Sequence, residues 1–399
     1  MNYTIAPGTL SGTVSAIASK SIAHRLLICA ALAGQPDAVC SPGISRDVEA
    51  TKACLLALQK SGKAVLPCGE SGSTLRFMLP IAAALGREAD FLMEGRLPQR
   101  PMTALEEQLT AHGLTICRPE PSILRISGRL TPGEYVLPGN VSSQFVTGLL
   151  FALPLLEAPS TLRITGKLES APYVELTLDA LSQFGVQVKR LPDGFFVEPQ
   201  AYTCKGAVSV EGDWSNAAFW LCAGAISGSV TVTGLRLDSL QGDRHILELL
   251  EDFGASVTRT EQAVTVKPGT LRPLAIDVME IPDLAPILSI VAAACPGDTR
   301  IYGGKRLRLK ESDRIEAVCR LLASLGAEAE ETEDGLIIHG GRPLSGGTAD
   351  SVGDHRIAMS AAIGAVLCQN PVTVLGAEAV AKSDPQFWEV YETMKGSAL

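Results

Sequence analysis

Long apolar segments recur along the chain, and each follows a serine or an aspartate. Because Ser and Asp are preferred helix N-caps, and because the segments are apolar on every side, the pattern predicts six buried helices. They are spaced about 70 residues apart, except for a shorter first interval. The predicted starts lie near Ser19, Ser73, Ser142, Asp213, Asp283 and Asp354.

A second pattern follows each apolar segment. A short alternating stretch such as VTVTG predicts a strand, and an amphipathic helix comes next, as in Ile246, Leu249, Leu250 and Phe253 at i, i+3, i+4 and i+7. Glycine is the expected residue just past a helix. The predicted helix ends are Gly62, Gly113, Gly185, Gly254, Gly326 and Gly396.

Six copies of one unit predict two pseudo-symmetric halves of three repeats each. The first three apolar segments open with Ser and the last three with Asp, which places the division between Val210 and Asp213. Strands alternate with helices throughout, so the fold class is α/β or α+β.

The amino-acid composition indicates which kinds of ligand the protein could bind. The chain has 399 residues, 46% hydrophobic and 19% charged, with a net charge of −9. Such an acidic chain argues against nucleic-acid binding, whereas local basic clusters favour a small anionic ligand. The ten cysteines form no CxxC pair and several lie in apolar segments, so we expect no metal site and a cytoplasmic location. The first residues carry no signal-peptide pattern, and no apolar run reaches membrane-spanning length.

Polar side chains at the predicted helix starts form a candidate anion site. If the buried helices of each half are parallel, their starts share a face with unpaired N–H groups and a positive dipole end. Capping alone explains Ser19, Asp213 and Asp354. Lys20 and Arg25 are different, because a positive charge near a helix start costs about 0.3–1 kcal/mol and a bound anion would relieve it. The candidates are Lys20, Ser21, Arg25, Ser73, Thr74, Arg76, Ser142, Ser143, Gln144, Asp213, Ser215, Asn216, Asp283, Asp354, His355 and Arg356.

Further charged residues lie outside the buried helices. Two arginines, Arg96 and Arg100, lie in a short loop, and Lys382 precedes an Asp-Pro turn. In the basic segment 305–314, Asp313 and Glu316 predict a capping box, and Glu311 among cations is a candidate acid–base group. A solvated charge run is the alternative explanation. Many cations with few carboxylates favour an enzyme that joins anionic small molecules.

Nine ordered motifs resemble the 5-enolpyruvylshikimate-3-phosphate (EPSP) synthase family over essentially the whole chain. They are SKSIAHR (19–25), GESGSTLR (69–76), QRPM (99–102), VSSQF (141–145), SAPY (170–173), IPD (281–283), LKESDRI (309–315), DHRIAM (354–359) and KSDPQF (382–387). The resemblance implies two domains of three βαβαββ units each, with the active site in the cleft between them. It also implies that the N-terminal strand belongs to the C-terminal half. The implied domains are residues 1–13 plus 212–399, and residues 14–211.

The resemblance further implies an enolpyruvyl transferase of the shikimate pathway, which leads to chorismate and aromatic amino acids, and a glyphosate target. Phosphoenolpyruvate would add to the 5-hydroxyl of shikimate 3-phosphate, and phosphate would leave from a tetrahedral intermediate. No metal or organic cofactor is implied, and we expect a monomer. Asp283 would take the hydroxyl proton, Glu311 would serve the methylene carbon, and Lys20 would assist.

The binding residues are carried over motif by motif. Those implied for shikimate 3-phosphate are Lys20, Ser21, Arg25, Ser142, Ser143, Gln144, Ser170, Asp283 and Lys310. Those implied for phosphoenolpyruvate are Lys20, Gly72, Arg100, Gln144, Arg314, Arg356 and Lys382. Glu70 and Arg306 stand where the family usually has asparagine, and neither is included.

Two other functions are compatible with parts of this pattern. The sister enzyme that acts on UDP-N-acetylglucosamine places a cysteine in the loop before its Arg-Pro, whereas loop 94–101 has none here. A non-catalytic repeat protein that binds an anionic metabolite would leave Asp283 and Glu311 without a role.

Overall fold

The computed structural model describes residues 1–41 and 43–396, and the predicted mixed α/β class is confirmed. The chain forms two compact units. The continuous unit is Ala18–Val210, and the split unit joins Met1–Ile17 to the described residues from Glu211 onward. Each unit has its own hydrophobic core. Val14 and Ser15, which the predicted boundary gives to the inserted domain, lie on a strand of the split unit. The predicted discontinuous domain, 1–13 plus 212–399, also includes residues 397–399, which lie outside the described residues.

The helices and strands are numbered along the chain. The helices are α1 (Lys20–Leu32), α2 (Arg46–Leu58), α3 (Gly72–Ala84), α4 (Thr103–Ala111), α5 (Ser143–Ala152), α6 (Ala171–Gln183), α7 (Trp214–Ile226), α8 (Ile246–Phe253), α9 (Ala285–Ala294), α10 (Arg314–Leu325), α11 (His355–Gly364) and α12 (Phe387–Met394). The strands are β1 (Asn2–Ile5), β2 (Thr9–Leu10), β3 (Gly12–Ser15), β4 (Val39–Cys40), β5 (Ala64–Gly69), β6 (Ala89–Met93), β7 (Leu114–Glu120), β8 (Ile123–Gly128), β9 (Glu134–Pro138), β10 (Ser160–Thr165), β11 (Val188–Leu191), β12 (Gly194–Val197), β13 (Val208–Ser209), β14 (Val230–Thr233), β15 (Ser256–Arg259), β16 (Ala263–Lys267), β17 (Ala275–Asp277), β18 (Gly297–Tyr302), β19 (Glu328–Glu331), β20 (Leu336–Gly340), β21 (Thr348–Asp350), β22 (Val372–Leu375) and β23 (Lys395–Gly396).

The repeats share one sheet topology. In the continuous unit the sheets run β5-β6-β8-β7 and β9-β10-β12-β11, and in the split unit β3-β14-β16-β15 and β17-β18-β20-β19. The first two strands of each sheet are parallel and the other neighbours are antiparallel. This is the βαβαββ arrangement, in which a helix crosses over between the parallel strands.

Two of the six repeats have smaller sheets. One is β21-β22-β1, whose antiparallel strand comes from the N-terminus, and the other is the pair β4 and β13. The N-terminal segment supplies further strands to the split unit, because β3 pairs with β14 and β2 with β23. The first residues of the chain therefore complete sheets whose other strands lie beyond residue 211.

The predicted buried helices are α1, α3, α5, α7, α9 and α11, but their starts differ in how they are capped. Ser142, Asp213 and Asp354 accept a hydrogen bond from a backbone N–H of their own helix. The predicted cap Ser73 is wrong, because Ser71 caps α3 and Ser73 lies inside it. Side-chain capping is also wrong for Ser19, whose side chain makes no cap hydrogen bond to α1. It is wrong for Asp283 as well, because α9 begins at Ala285 after a 3₁₀ turn at Pro282–Leu284.

The predicted glycine helix ends are only partly correct. Gly254 and Gly326 are left-handed C-caps of α8 and α10. Gly62 lies several residues beyond the end of α2. The predicted cap Gly396 is wrong, because this residue belongs to β23 and pairs with Thr9.

Close packing of α3 against α5 depends on Gly148. A Cβ added there would lie 2.2 Å from the Arg76 carbonyl oxygen and 3.2 Å from Pro80 Cγ. We expect Gly148→Ala to destabilise the continuous unit by about 1–3 kcal/mol, because backbone must move to admit the methyl group. Hydrogen exchange of the α3 and α5 amides measures the loss of protection. Gly8→Ala is the control, since its added Cβ would meet nothing closer than 3.5 Å; equal protection in both variants would contradict the prediction.

Candidate active site

Asp283 is the centre of a charged cluster in the split unit. Its Oδ1 accepts hydrogen bonds from Arg314 Nη1 at 2.8 Å and from Lys310 Nζ at 3.4 Å. Arg356 Nη2 donates to Oδ2 at 3.0 Å, and Arg356 Nη1 donates to the Asp283 carbonyl oxygen at 3.2 Å. The 3₁₀ turn leaves this carboxylate uninvolved in capping, so it can face three cations.

Arg314 connects this carboxylate to two others. It is the first residue of α10 and its side chain is only 1% exposed. Its guanidinium donates to Glu311 Oε2 at 2.9 Å and to Asp354 Oδ2 at 2.8 Å, besides Asp283. Ser312 Oγ also donates to Asp354, which caps α11 at the same time. Three carboxylates thus share one buried guanidinium.

The cations determine the charge state of Asp283. Burial alone would raise the pKa of this carboxyl, but the positive charges of Arg356, Lys310 and Arg314 outweigh burial and hold the pKa well below its usual range. Burial lowers the pKa of the Lys310 ammonium, against the opposing charge of Asp283. The cluster therefore contains an ionised carboxylate whose basicity is suppressed by its neighbours.

A fourth carboxyl, Asp243, lies near this cluster on the 3₁₀ turn Gly242–His245 and is 2% exposed. It accepts a hydrogen bond from Ser215 Oγ at the start of α7. Burial, together with the negative charge of Asp283, raises the pKa of Asp243 to about 7 against the opposing charge of Arg356.

This shift predicts a pH-dependent stability. Between the ordinary carboxyl pKa near 4 and pH 7 the native state keeps a proton that the unfolded state has lost, so stability falls as pH rises through this range. Asp243→Asn removes the titrating group. We expect the free energy of unfolding of this variant to exceed that of the parent chain. The difference should be small at pH 4 and grow to as much as about 4 kcal/mol by pH 8.

Tryptophan fluorescence during urea unfolding measures this difference. All three tryptophans, Trp214, Trp220 and Trp388, belong to the split unit, which also holds Asp243. Asp252→Asn, at an exposed carboxyl of the same unit, is the control. A difference that stays constant between pH 4 and pH 8 would contradict the assignment.

The continuous unit carries a second cluster, at the start of α1. Lys20 Nζ forms an ion pair with Asp47 Oδ2 at 2.9 Å, and Asp47 lies in the first turn of α2. Arg25 is buried; it donates to Thr177 Oγ1 at 2.9 Å and to the Tyr173 and Ser21 carbonyl oxygens. Burial lowers the pKa of Arg25 to about 10, so the guanidinium remains charged at neutral pH.

The start of α3 forms a crowded corner of the same unit. A Cβ on Gly72 would lie 2.6 Å from Arg100 Nη1 and 2.8 Å from Arg76 Nη1, so a larger residue here would displace the ends of these two arginine side chains. Arg76 donates to Gln144 Oε1 at 2.7 Å, and Gln144 Nε2 donates to Ser73 Oγ at 2.9 Å. The starts of α3 and α5 are therefore joined by side-chain hydrogen bonds.

The other predicted residues also lie at helix ends. Ser142 caps α5, and Ser143 is its buried first residue. Ser170 precedes α6 with φ of 54°, a strained conformation for serine that is typical of functional positions. Lys382 ends the 3₁₀ turn Ala377–Lys382 and donates to the Gly353 carbonyl oxygen at 3.0 Å.

The predicted residues thus divide into two sets, one in each unit. The set in the continuous unit is Lys20, Ser21, Arg25, Gly72, Arg100, Ser142, Ser143, Gln144 and Ser170, and the set in the split unit is Asp283, Lys310, Glu311, Arg314, Arg356 and Lys382. The sequence analysis missed Asp47, Asp243, Thr177 and the supporting role of Asp354. An acid in the first helical turn looks like a dipole partner in sequence, so nothing in the pattern distinguishes Asp47 as the partner of Lys20.

Comparison with known proteins identifies this architecture. The solved enolpyruvyl transferase NikO from Streptomyces tendae has the same fold, with a TM-score of 0.78 at 18% identity over 98% of this chain and 96% of NikO. The solved EPSP synthase from Acinetobacter baumannii matches with a TM-score of 0.80 at 25% identity, over 99% of this chain and 98% of that protein. The fold is therefore that of the enolpyruvyl transferases.

Sequence comparison defines the family. A model of the family EPSP synthase (3-phosphoshikimate 1-carboxyvinyltransferase) matches residues 5–62 and 56–391. Curated relatives from Clostridium kluyveri and Clostridium acetobutylicum, both named 3-phosphoshikimate 1-carboxyvinyltransferase, are 41% and 39% identical; the matches cover 99% and 98% of this chain and 98% and 97% of the relatives. The chain belongs to the EPSP synthase family, and the family predicted from the nine motifs is confirmed. Among the described residues, no helix is both long and apolar enough to span a bilayer.

Proposed function

We propose that this chain transfers the enolpyruvyl group of phosphoenolpyruvate to the 5-hydroxyl of shikimate 3-phosphate and releases phosphate. Family membership supports the reaction, and the observation that carries it is the Asp283 carboxylate held by Arg314, Arg356 and Lys310. A carboxylate among cations suits two anionic substrates, one of which must lose a proton during the reaction. No metal or organic cofactor enters the proposed reaction.

The proposed ligands of shikimate 3-phosphate suit a phosphate, a carboxylate and hydroxyl groups. Lys20 and Arg25 supply positive charge, while Ser142 and Ser143 supply hydroxyl groups at the start of α5, where the helix dipole favours anions. The full proposed set is Lys20, Ser21, Arg25, Ser142, Ser143, Gln144, Ser170, Asp283 and Lys310.

Phosphoenolpyruvate carries a carboxylate and a phosphate, which guanidinium groups bind in a bidentate manner. Gly72 carries no side chain that would separate the start of α3 from the Arg100 guanidinium, whose Nη1 lies 2.6 Å from the position of an added Cβ. The full proposed set is Lys20, Gly72, Arg100, Gln144, Arg314, Arg356 and Lys382.

The electrostatics support Asp283 as the general base. Its pKa is depressed because Arg356, Lys310 and Arg314 surround it. Anionic substrates would neutralise part of that positive charge, so the pKa would rise toward the range in which a carboxylate accepts a proton. Asp283 would then take the proton of the attacking hydroxyl. Glu311, on the same guanidinium, would exchange a proton with the methylene carbon, with Lys20 assisting.

Phosphate release tests the proposal directly. The chain is incubated with phosphoenolpyruvate and either shikimate 3-phosphate or UDP-N-acetylglucosamine. We expect phosphate release from phosphoenolpyruvate when shikimate 3-phosphate is the acceptor and none when UDP-N-acetylglucosamine is the acceptor. Release with UDP-N-acetylglucosamine alone would assign the sister reaction, and tight binding of shikimate 3-phosphate without release would indicate a non-catalytic receptor.

We further propose that the chain acts as a monomer in the cytoplasm. Sedimentation equilibrium at micromolar protein concentration tests the first point, and a species of 41.9 kDa is expected.

A further inference from the structure

A line of buried side chains connects α1, α2 and α3 behind the proposed ligands of the continuous unit. His24 Nδ1 lies 2.7 Å from Thr51 Oγ1, Thr51 Oγ1 lies 2.7 Å from Thr74 Oγ1, and Thr74 Oγ1 lies 2.8 Å from Ser71 Oγ. None of the four side chains is more than 1% exposed. We call His24, Thr51, Thr74 and Ser71 the hydroxyl chain.

The hydrogen bonds of Thr74 determine which group donates and which accepts along the whole hydroxyl chain. Thr74 has a single hydroxyl hydrogen, and its geometry makes it a donor to Ser71 Oγ or to the Asp47 carbonyl oxygen, which can only accept. Thr51 must therefore donate to Thr74. Since the Thr51 hydrogen is then used, His24 Nδ1 must carry the hydrogen that Thr51 accepts.

An independent observation at the other end agrees with this direction. Burial, reinforced by the charges of Lys20 and Arg25 and opposed by Asp47, lowers the pKa of His24 to about 3, so the ring is neutral. Its Nε2 is buried and has no hydrogen-bond partner among the described residues. A bare nitrogen lone pair is tolerated there better than an unpaired N–H, which is rare in protein interiors. Both ends therefore indicate the Nδ1–H tautomer.

The hydroxyl chain ends at Ser71, the N-cap of α3. Ser71 Oγ accepts from the Thr74 hydroxyl and also from Thr74 N at 3.2 Å, while the Ser71 carbonyl accepts from Leu75 N. These bonds use the third and fourth N–H groups of the helix. The first two, of Gly72 and Ser73, are left for an anion.

We propose that the hydroxyl chain, in which each group donates a hydrogen bond to the next from His24 to Ser71, fixes the Ser71 cap. It thereby positions the N–H groups of Gly72 and Ser73 for phosphoenolpyruvate. His24, Thr51 and Thr74 are then positioning residues for one substrate, which rests on the proposed function. Shikimate 3-phosphate depends on them less, because Arg25 is held by Thr177 and by the Tyr173 carbonyl oxygen instead.

Thr51→Val tests the proposal, because valine keeps the shape of threonine and removes the hydroxyl group. Phosphate release is measured first with the parent chain, so that failure of the proposed function would be recognised before any variant is compared. We expect the KM for phosphoenolpyruvate to rise about tenfold, the value of one hydrogen bond. The KM for shikimate 3-phosphate is expected to change less than about twofold, and Thr51→Ser is expected to restore both constants.

Thr231→Val is the matched control, since it breaks a similar hydroxyl pair with Thr265, at 2.8 Å, on β14 and β16. It should leave both constants unchanged. An equal rise in both KM values for Thr51→Val, no rise at all, or no rescue by serine would overturn the proposal.

A second measurement on the parent chain does not depend on folding of the variant or on turnover. The chain has five histidines, so their imidazole nitrogens can be resolved by ¹⁵N NMR and His24 assigned with a His24→Asn sample. We expect a neutral Nδ1–H tautomer from pH 5 to pH 8. An Nε2–H tautomer, or titration within this range, would refute the proposed donor direction of the hydroxyl chain.

Discussion

Asp283→Asn should lower kcat by about 10²- to 10⁴-fold, the usual contribution of a positioned general base. Asparagine fills the same volume and can still accept a hydrogen bond from Arg314 or Arg356, so the cluster should remain assembled. It cannot take a proton from the attacking hydroxyl. We therefore expect the KM for shikimate 3-phosphate to change much less than kcat, in steady-state phosphate release.

The control for this variant removes a carboxylate of the same unit away from the cluster. Asp298→Asn serves, since the Asp298 side chain is exposed and pairs with His339. It should retain the parent turnover. Full turnover by Asp283→Asn would mean that the carboxylate has no role as a base, and residual binding without turnover in both variants would favour a receptor.

The repetition of apolar segments predicts the architecture well because it depends on local periodicity. Each predicted buried helix is present, and the four-stranded sheets repeat one strand order. The N-terminal pairing is different in kind. β3 pairs with β14 across more than 200 residues of chain, and nothing in the composition of Gly12–Ser15 names that partner. The resemblance supplied what the pattern could not.

Helix starts show a similar limit at the level of single residues. Ser and Asp look alike as caps whether the side chain bonds to its own helix or to another element. Asp213 caps α7, Asp283 instead pairs with Arg314 and Arg356, and Asp354 does both. The choice depends on the 3₁₀ turn before α9 and on cations that lie 31 and 73 positions away in sequence. Local sequence therefore finds the candidates, while tertiary contacts assign their roles.

The supporting residues were least accessible to sequence analysis. Thr51 is an ordinary helix residue by pattern. Thr74 is a candidate only as an anion ligand at a helix start, and its hydrogen bond to Thr51 spans 23 positions. Asp243 reads as a surface charge in the segment QGDRH, yet it is buried. Burial of a polar group is decided by what covers it, which is a property of the fold and not of the local sequence.

Arg314→Met should produce the largest loss of stability, about 3–5 kcal/mol in the split unit. The guanidinium is 1% exposed and donates to Asp283, Glu311 and Asp354, so its removal leaves three carboxylates with mutual repulsion and unmet hydrogen bonds. Turnover should be lost as well, since Arg314 is a proposed ligand of phosphoenolpyruvate. Arg314→Lys keeps the charge but cannot span three acceptors, so an intermediate loss is expected.

Urea unfolding followed by tryptophan fluorescence isolates this effect, because all three tryptophans belong to the split unit. Arg342→Met is the matched control, as Arg342 pairs with Glu328 at the surface and both side chains are more than half exposed. Such a pair is worth about 0–1 kcal/mol, so the control should unfold close to the parent chain. If Arg314→Met matched that control, the carboxylates would be stabilised without the guanidinium, and lysine would then behave like methionine. The expected order of the free energy of unfolding is highest for the parent chain, intermediate for Arg314→Lys and lowest for Arg314→Met. This order would establish that both the charge and the planar fork of Arg314 hold Asp283 in place.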